Sequence, residues 1–184
     1  MFSTYLQSFT RVLEQTKASH LERTMDLDQA FQKLVEEFVS RKKQQTVYLI
    51  GNGGSSGIVS HSAVDFVNAC GYRAQALTDN SMLTCMANDY GYENVFAQPF
   101  KTLIQANDVV VAVSSSGTSK NIVNACKEAK QKGAFILTFS GFKTDNDLRQ
   151  LGDYNLWVDS MDYGQVEIGH ALLLHYLTDQ LSNQ

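Results

Sequence analysis

Two short segments rich in glycine and serine constrain this chain more than anything else in it: GNGGSSG at 51–57 and SSSGTS at 114–119. Each follows a run of apolar and β-branched residues, VYLI at 47–50 and VVVAV at 109–113, and each leads into a stretch with helical periodicity. A strand that ends in a tight glycine-serine turn and passes straight into a helix is half of a parallel βαβ unit, because parallel strands need a crossover of a dozen residues or more. Two such units commit the chain to an α/β fold with a parallel sheet. They also specify chemistry. Glycine lets the backbone approach an anion, hydroxyls donate hydrogen bonds, and the first turn of a helix presents unpaired N–H groups at the positive end of its dipole. The residues placed to hold a phosphate are Asn52, Gly53, Gly54, Ser55 and Ser56 in the first loop, and Ser114, Ser115, Ser116, Thr118 and Ser119 in the second.

Five strands are expected, at 46–50, 73–77, 108–113, 134–139 and 154–158, with helices at about 56–70, 94–106, 119–132 and 164–182. Right-handed crossovers restrict how such units stack. The most economical arrangement is a three-layer, doubly wound, five-stranded parallel sheet in the flavodoxin-like order 2-1-3-4-5. That order sets strands 1 and 3 side by side and brings both loops to one crevice, at the switch point where ligands of open α/β sheets bind. Ahead of the sheet, apolar residues recur at helical spacing from 3 to 19 and from 27 to 39, as in Leu27, Phe31, Leu34, Val35 and Phe38. They predict an N-terminal helical hairpin over 1–43. Its apolar face has no obvious place on a sheet already covered on both sides, which points to oligomerisation through a helix bundle. No linker or internal repeat divides the 184 residues, so a single domain over 1–184 is expected.

Composition removes several classes of partner. The 15 Lys and Arg against 19 Asp and Glu give a formal net charge of −4, with no run of like charges. The electrostatic attraction that binds nucleic acid or an anionic membrane is therefore missing. No stretch of 18 apolar residues occurs, and the N-terminus has no basic segment followed by an apolar one, so a cytoplasmic location is expected. Cys70, Cys85 and Cys126 are odd in number and outside any C-x-x-C spacing, which suits ordinary thiols in a reducing compartment. The dinucleotide fingerprint fails at Ser56, where its third glycine would stand, and neither loop carries a P-loop lysine. No nucleotide cofactor is expected.

Acid-base candidates lie on two helices. His61 and Asp65, four residues apart, share one face of the helix that begins at the crevice. On the last helix Glu167, His170 and His175 sit among Ile168, Ala171, Leu172, Leu173, Leu174 and Leu177. Polar groups on so apolar a helix need partners, which leaves a core network, a subunit contact and a catalytic or metal site open. Interconversion of ketose and aldose moves a proton between adjacent carbons and another between their oxygens, and a carboxylate plus a histidine suffice for it. Asp65 would be the base and His175 the acid or proton shuttle. His61, Asp65, Glu167 and His175 together would also make a two-histidine, two-carboxylate set suited to Zn(2+) or a similar divalent ion, one per subunit. Spacing alone does not establish that the helices meet.

On these residues the chain resembles the sugar isomerase (SIS) domain family, and within it the bacterial sedoheptulose-7-phosphate isomerases, or phosphoheptose isomerases. The resemblance runs over nearly the full length. It rests on GNGGSS at 51–56, His61 with an acid at 65, the stretch AND-Y-G-Y at 87–92, SSSGTS at 114–119, and E-x-x-H-x-x-x-x-H ending at His175. It implies that the two loops hold the phosphate, that Asp65 and His175 act as base and acid, and that Asp89 helps bind the sugar. It implies too a homotetramer with active sites at subunit boundaries, converting sedoheptulose 7-phosphate to D-glycero-D-manno-heptose 7-phosphate. Three positions depart from the family's pattern: Asp65 stands for the usual glutamate, Ala69 for an arginine, and Glu167 for a glutamine. Alternatives are an isomerase of another sugar phosphate, and a non-catalytic protein of this fold, either a phosphosugar sensor or an adaptor like the DnaA initiator-associating protein. In that adaptor the acid and the terminal histidine are not kept, so the presence of Asp65 and His175 favours the enzyme.

Overall fold

The computed structural model describes residues 1–21, 23–41 and 45–184. It opens with helix α1 (Phe2–Glu14), a short antiparallel pair of strands β1 (Lys17–His20) and β2 (Arg23–Met25), and helix α2 (Leu27–Arg41). Strands and helices then alternate: β3 (Thr46–Gly51), α3 (Gly54–Asn68), β4 (Arg73–Ala76), α4 (Asn80–Tyr90), α5 (Ala97–Leu103), β5 (Val109–Ser114), α6 (Lys120–Gln131) and β6 (Phe135–Ser140). The last elements are β7 (Tyr154–Trp157) and α7 (Tyr163–Ser182).

The sheet has seven strands in the order β2-β1-β7-β6-β5-β3-β4. Strands β3 to β7 are mutually parallel, while β1 pairs antiparallel with β7, Lys17 opposite Trp157 and His20 opposite Tyr154. The sheet is thus mixed rather than the five-stranded parallel sheet expected, and the first 43 residues are not a plain helical hairpin. The reason is the free edge of β7. An unpaired edge leaves a row of backbone donors and acceptors open, and the four residues of β1, with Ala18 and Ser19 buried, close it. Glu22, Lys42 and Lys43, which fall within that expected hairpin, lie outside the described residues.

Two apolar layers hold the sheet. Alternate residues of a strand face opposite sides, so Val109, Val111 and Val113 of β5 pack with Leu34, Phe38, Phe66, Leu174 and Leu177 of α2, α3 and α7. Val110 and Ala112 pack with Phe100, Ile122, Ala125 and Cys126 of α5 and α6. Helices α3 and α7 run alongside each other in the same direction: Gly54 meets Glu167, Asp65 meets His175, and the Cys70 thiol reaches the Thr178 carbonyl at 3.3 Å. No helix among the described residues is long and apolar enough to cross a membrane, and no disulfide joins Cys70, Cys85 or Cys126.

His170, the middle histidine of α7, belongs to the core. It is fully buried, with Nε2 at 3.0 Å from the Ser140 carbonyl and Nδ1 without a partner among the described residues. Burial pushes its pKa down to about 4 from an ordinary 6.5, the Ser140 hydrogen bond opposing only part of that shift. Between pH 6.5 and 4 the unfolded chain therefore takes up a proton that the folded chain refuses. Stability is full above about pH 6.5 and falls through this window by about 3 kcal/mol from this residue. Thermal melts at pH 7 and pH 4 should show a larger acid-induced drop for the native chain than for His170→Gln, which keeps an N–H donor and does not titrate.

Candidate active site

Because β3 lies between β4 and β5, the loops that leave β3 and β5 are neighbours at the carboxyl edge of the sheet. Two asparagines lock them together. Asn52 Nδ2 donates to Asn121 Oδ1 at 2.9 Å, Asn121 Nδ2 donates to Asn52 Oδ1 at 2.8 Å, and the Tyr92 hydroxyl adds a donor to Asn52 Oδ1 at 3.1 Å. Within the second loop Ser114 Oγ accepts from the Gly117 amide at 3.2 Å, and Asn146 Nδ2 donates to the Gly141 and Lys143 carbonyls and to Ser140 Oγ behind it. The crevice is therefore formed by hydrogen bonds that need no ligand.

Between the loops lies a cavity of about 160 Å³ lined by Asn52, Ser55, Ser114, Ser115, Ser116 and Ser119, with Tyr163 and Glu167 contributed by α7. It is a size that suits one phosphoryl group. Ser115 Oγ is buried there without a hydrogen-bond partner among the described residues, and a buried hydroxyl left unsatisfied costs free energy that a ligand oxygen would relieve. Of the ten loop residues expected around a phosphate, six line this cavity. Ser56 is turned about 100° along α3 from Ser55 and misses it, and Thr118 spends its amide and hydroxyl on Ser116 Oγ at 3.3 and 3.2 Å. Gly53 is the N-cap of α3, and Gly54 lines the adjoining cavity.

That second cavity, about 350 Å³, continues along α3 and α7 between Gly54, Gly57, Ile58, His61, Ser62, Ala171 and His175. At its far end Asp65 Oδ2 lies 3.5 Å from His61 Nε2 and 3.5 Å from His175 Nδ1, and the two imidazole centroids are 5.0 Å apart. One ligand atom from each of the three residues falls within 4.8 Å of the others. The side chain of Asp65 is about a quarter exposed and the two histidines are half exposed or more, so the group opens to solvent on one side.

Of the four residues expected from the sequence to share a metal, the structure brings His61, Asp65 and His175 together and places Glu167 apart from them. It precedes His175 by eight residues, about 12 Å along a helix axis. Its carboxylate instead lies against the first residue of α3: a Cβ built on Gly54 would stand 2.5 Å from both carboxylate oxygens. Asp89 lies on the exposed α4, where it takes hydrogen bonds from Asn88 Nδ2 at 2.9 Å and from the Cys85 thiol at 3.6 Å, the latter raising the thiol's pKa. It lines neither cavity. Sequence reasoning missed Asn121 and Tyr163. The signal for both was position, one in the first turn after the second loop and the other opening the helix that carries the histidines.

Fold and crevice define an α/β protein with a phosphate-sized, hydroxyl-lined cavity at the switch point of its sheet and a histidine-carboxylate group further along the same two helices. The sequence profile of the SIS domain matches residues 4–141. The phosphoheptose isomerase of Campylobacter concisus is 33% identical over 181 residues, covering 95% of this chain and 94% of its own. That of Burkholderia pseudomallei is 38% identical over 135 residues, 70% of this chain and 68% of its own. The solved structure of phosphoheptose isomerase from Neisseria gonorrhoeae superposes with a TM-score of 0.85 at 26% identity, covering 100% of this chain and 97% of that one. The chain belongs to the SIS domain family, among its phosphoheptose isomerases.

Proposed function

We propose that this protein interconverts sedoheptulose 7-phosphate and D-glycero-D-manno-heptose 7-phosphate. The observation that carries this reading is the placement of two unlike sites along one helix pair. A hydroxyl-lined cavity of about 160 Å³ opens at the start of α3, and Asp65 stands between His61 and His175 further along α3 and α7. The names of the relatives supply the class of sugar, a phosphoheptose; the geometry supports the chemistry.

The phosphate is held by Ser55, Ser114, Ser115, Ser116 and Ser119 with the backbone N–H groups that open α3, and Asn52 fixes the loop that presents them. Asp65 takes a proton from C1 of the ketose while His175 gives one to the oxygen on C2, forming an enediol. The C1 hydroxyl then loses its proton to His175 as Asp65 returns the carbon proton to C2, leaving the aldose. Each group ends in the protonation state in which it began. His61, Asp65 and His175 also fit a divalent ion of the zinc type, since two imidazole nitrogens and a carboxylate oxygen converge within 4.8 Å. When bound, such an ion would polarise the sugar's carbonyl oxygen.

The protein acts as a single-domain cytoplasmic subunit of a homotetramer. Phe2 and Leu6 of α1, Val64 of α3, and Ile168 and Leu172 of α7 are all exposed by half or nearly half or more, and α1 buries no residue of its own. Covering these apolar side chains is what a neighbouring subunit would contribute, and Val64 puts one of them in the same turn of α3 as Asp65. Turnover is tested by incubating the purified protein with sedoheptulose 7-phosphate and following the aldoheptose phosphate by NMR. Product formation is expected. Saturable binding without product would overturn the catalytic reading and leave a phosphosugar sensor.

A further inference from the structure

The phosphate cavity holds a charge of the wrong sign for its ligand. Among the described residues that line it, Glu167 is the one carboxylate, and no lysine or arginine joins it. Its oxygens lie against the first residue of α3, in the cavity that Ser55 and Ser115 also line, and it makes no hydrogen bond or ion pair with any described residue. A carboxylate at a helix N-terminus is favoured for the reason a phosphate is: both are anions facing unpaired N–H groups and the positive end of the dipole. One short turn of helix serves one anion well. Two anions a few ångströms apart in a partly dry cavity repel strongly.

We propose that Glu167 is a resident anion of the phosphate cavity, an internal competitor that sets how tightly any phosphate is held. An incoming phosphoryl group must displace the carboxylate from the α3 N-terminus, so every phosphate ligand binds more weakly than the cavity's hydroxyls would allow. A sugar phosphate offsets this through contacts of its carbon chain along α3 and α7, which inorganic phosphate lacks. The carboxylate thereby keeps free phosphate from filling the cavity and hastens release of a bound product. Glu167 is on this account an affinity-setting residue, and the inference rests on the phosphate reading of the cavity given above.

The test is calorimetric titration of inorganic phosphate into the native chain, Glu167→Gln and Glu167→Ala. Glu167→Gln keeps the shape and removes the charge; Glu167→Ala guards against the amide making a new hydrogen bond. Both variants should bind phosphate at least about tenfold more tightly than the native chain, the size expected when one like charge leaves such a site. Sulfate should show the same gain. Equal or weaker phosphate binding in both variants overturns the inference while leaving the phosphate cavity standing. Failure of all three proteins to bind phosphate overturns the reading of the cavity itself, and this inference with it.

Discussion

Asp65→Asn should lower kcat by about a thousandfold or more while leaving the affinity for inorganic phosphate within about threefold of the native value. The carboxylate is the group assigned to take the carbon-bound proton, flanked at 3.5 Å by His61 and His175. Asparagine is nearly isosteric and holds the same space, so the substitution removes the proton acceptor with little change of shape. Loss of a general base commonly costs 10²- to 10⁴-fold, and a group used only in the transition state lowers kcat and kcat/KM together. Phosphate binding belongs to the other end of the helix pair and serves as an internal control. A variant with near-native turnover would remove Asp65 from the chemistry. Asp65→Glu, which keeps the carboxylate on a side chain one methylene longer, should retain turnover within an order of magnitude or exceed it.

Gly117→Ala should destabilise the fold by about 4 kcal/mol and abolish phosphate binding. Gly117 sits at φ +65° in the middle of the second loop, where an L side chain costs about 1–2 kcal/mol. A Cβ there would also overlap Oδ1 and Cγ of Asn146. Asn146 cannot step aside cheaply. It is buried, its Nδ2 donates at three sites, and its Oδ1 accepts from the Arg149 amide at 3.0 Å. Overpacking a closed site of this kind adds about 1–3 kcal/mol. For a chain of this length the melting temperature should fall by roughly 8–16 °C. Gly57→Ala is the matched control: it stands in α3 with nothing within 4 Å of its would-be Cβ. Alanine there should leave stability unchanged or raise it by about 0.5–1 kcal/mol.

Much of the site was legible because its parts are local. A strand, a hydroxyl-rich turn and a helix start can be read from a dozen residues, and the i, i+4 spacing of His61 and Asp65 places them on one face. What escaped was either short or displaced. Strand β1 is four residues long, KASH, with two exposed and two buried positions; so brief a pattern carries no period, and its place is set by the open edge of β7. Helix α4 buries none of its eleven residues, so it shows no complete apolar stripe for a 3.6-residue period to reveal. Glu167 was grouped with the histidines because they share a helix, yet sharing a helix says nothing of distance along it. Its true neighbour, Gly54, is more than a hundred residues earlier in the chain. Asn121 was overlooked for a related reason, since a reciprocal amide pair leaves no trace in either loop considered alone.

The parallel run of α3 and α7 acts as a gauge. From Gly54, where the serine cavity begins, to His61 is seven residues, about 10 Å along α3. With the phosphate anchored at one end and the proton-transferring groups fixed at the other, a sugar reacts only if its own length bridges the two. Sliding the histidine-carboxylate group by a single turn would change that reach by about 5 Å, several carbon-carbon bonds' worth, with no alteration to the phosphate cavity or to the chemistry. Discrimination by chain length is then a matter of counting turns, and a scaffold of this kind can be refitted to a shorter or longer phosphosugar by moving two or three side chains along helices that stay where they are.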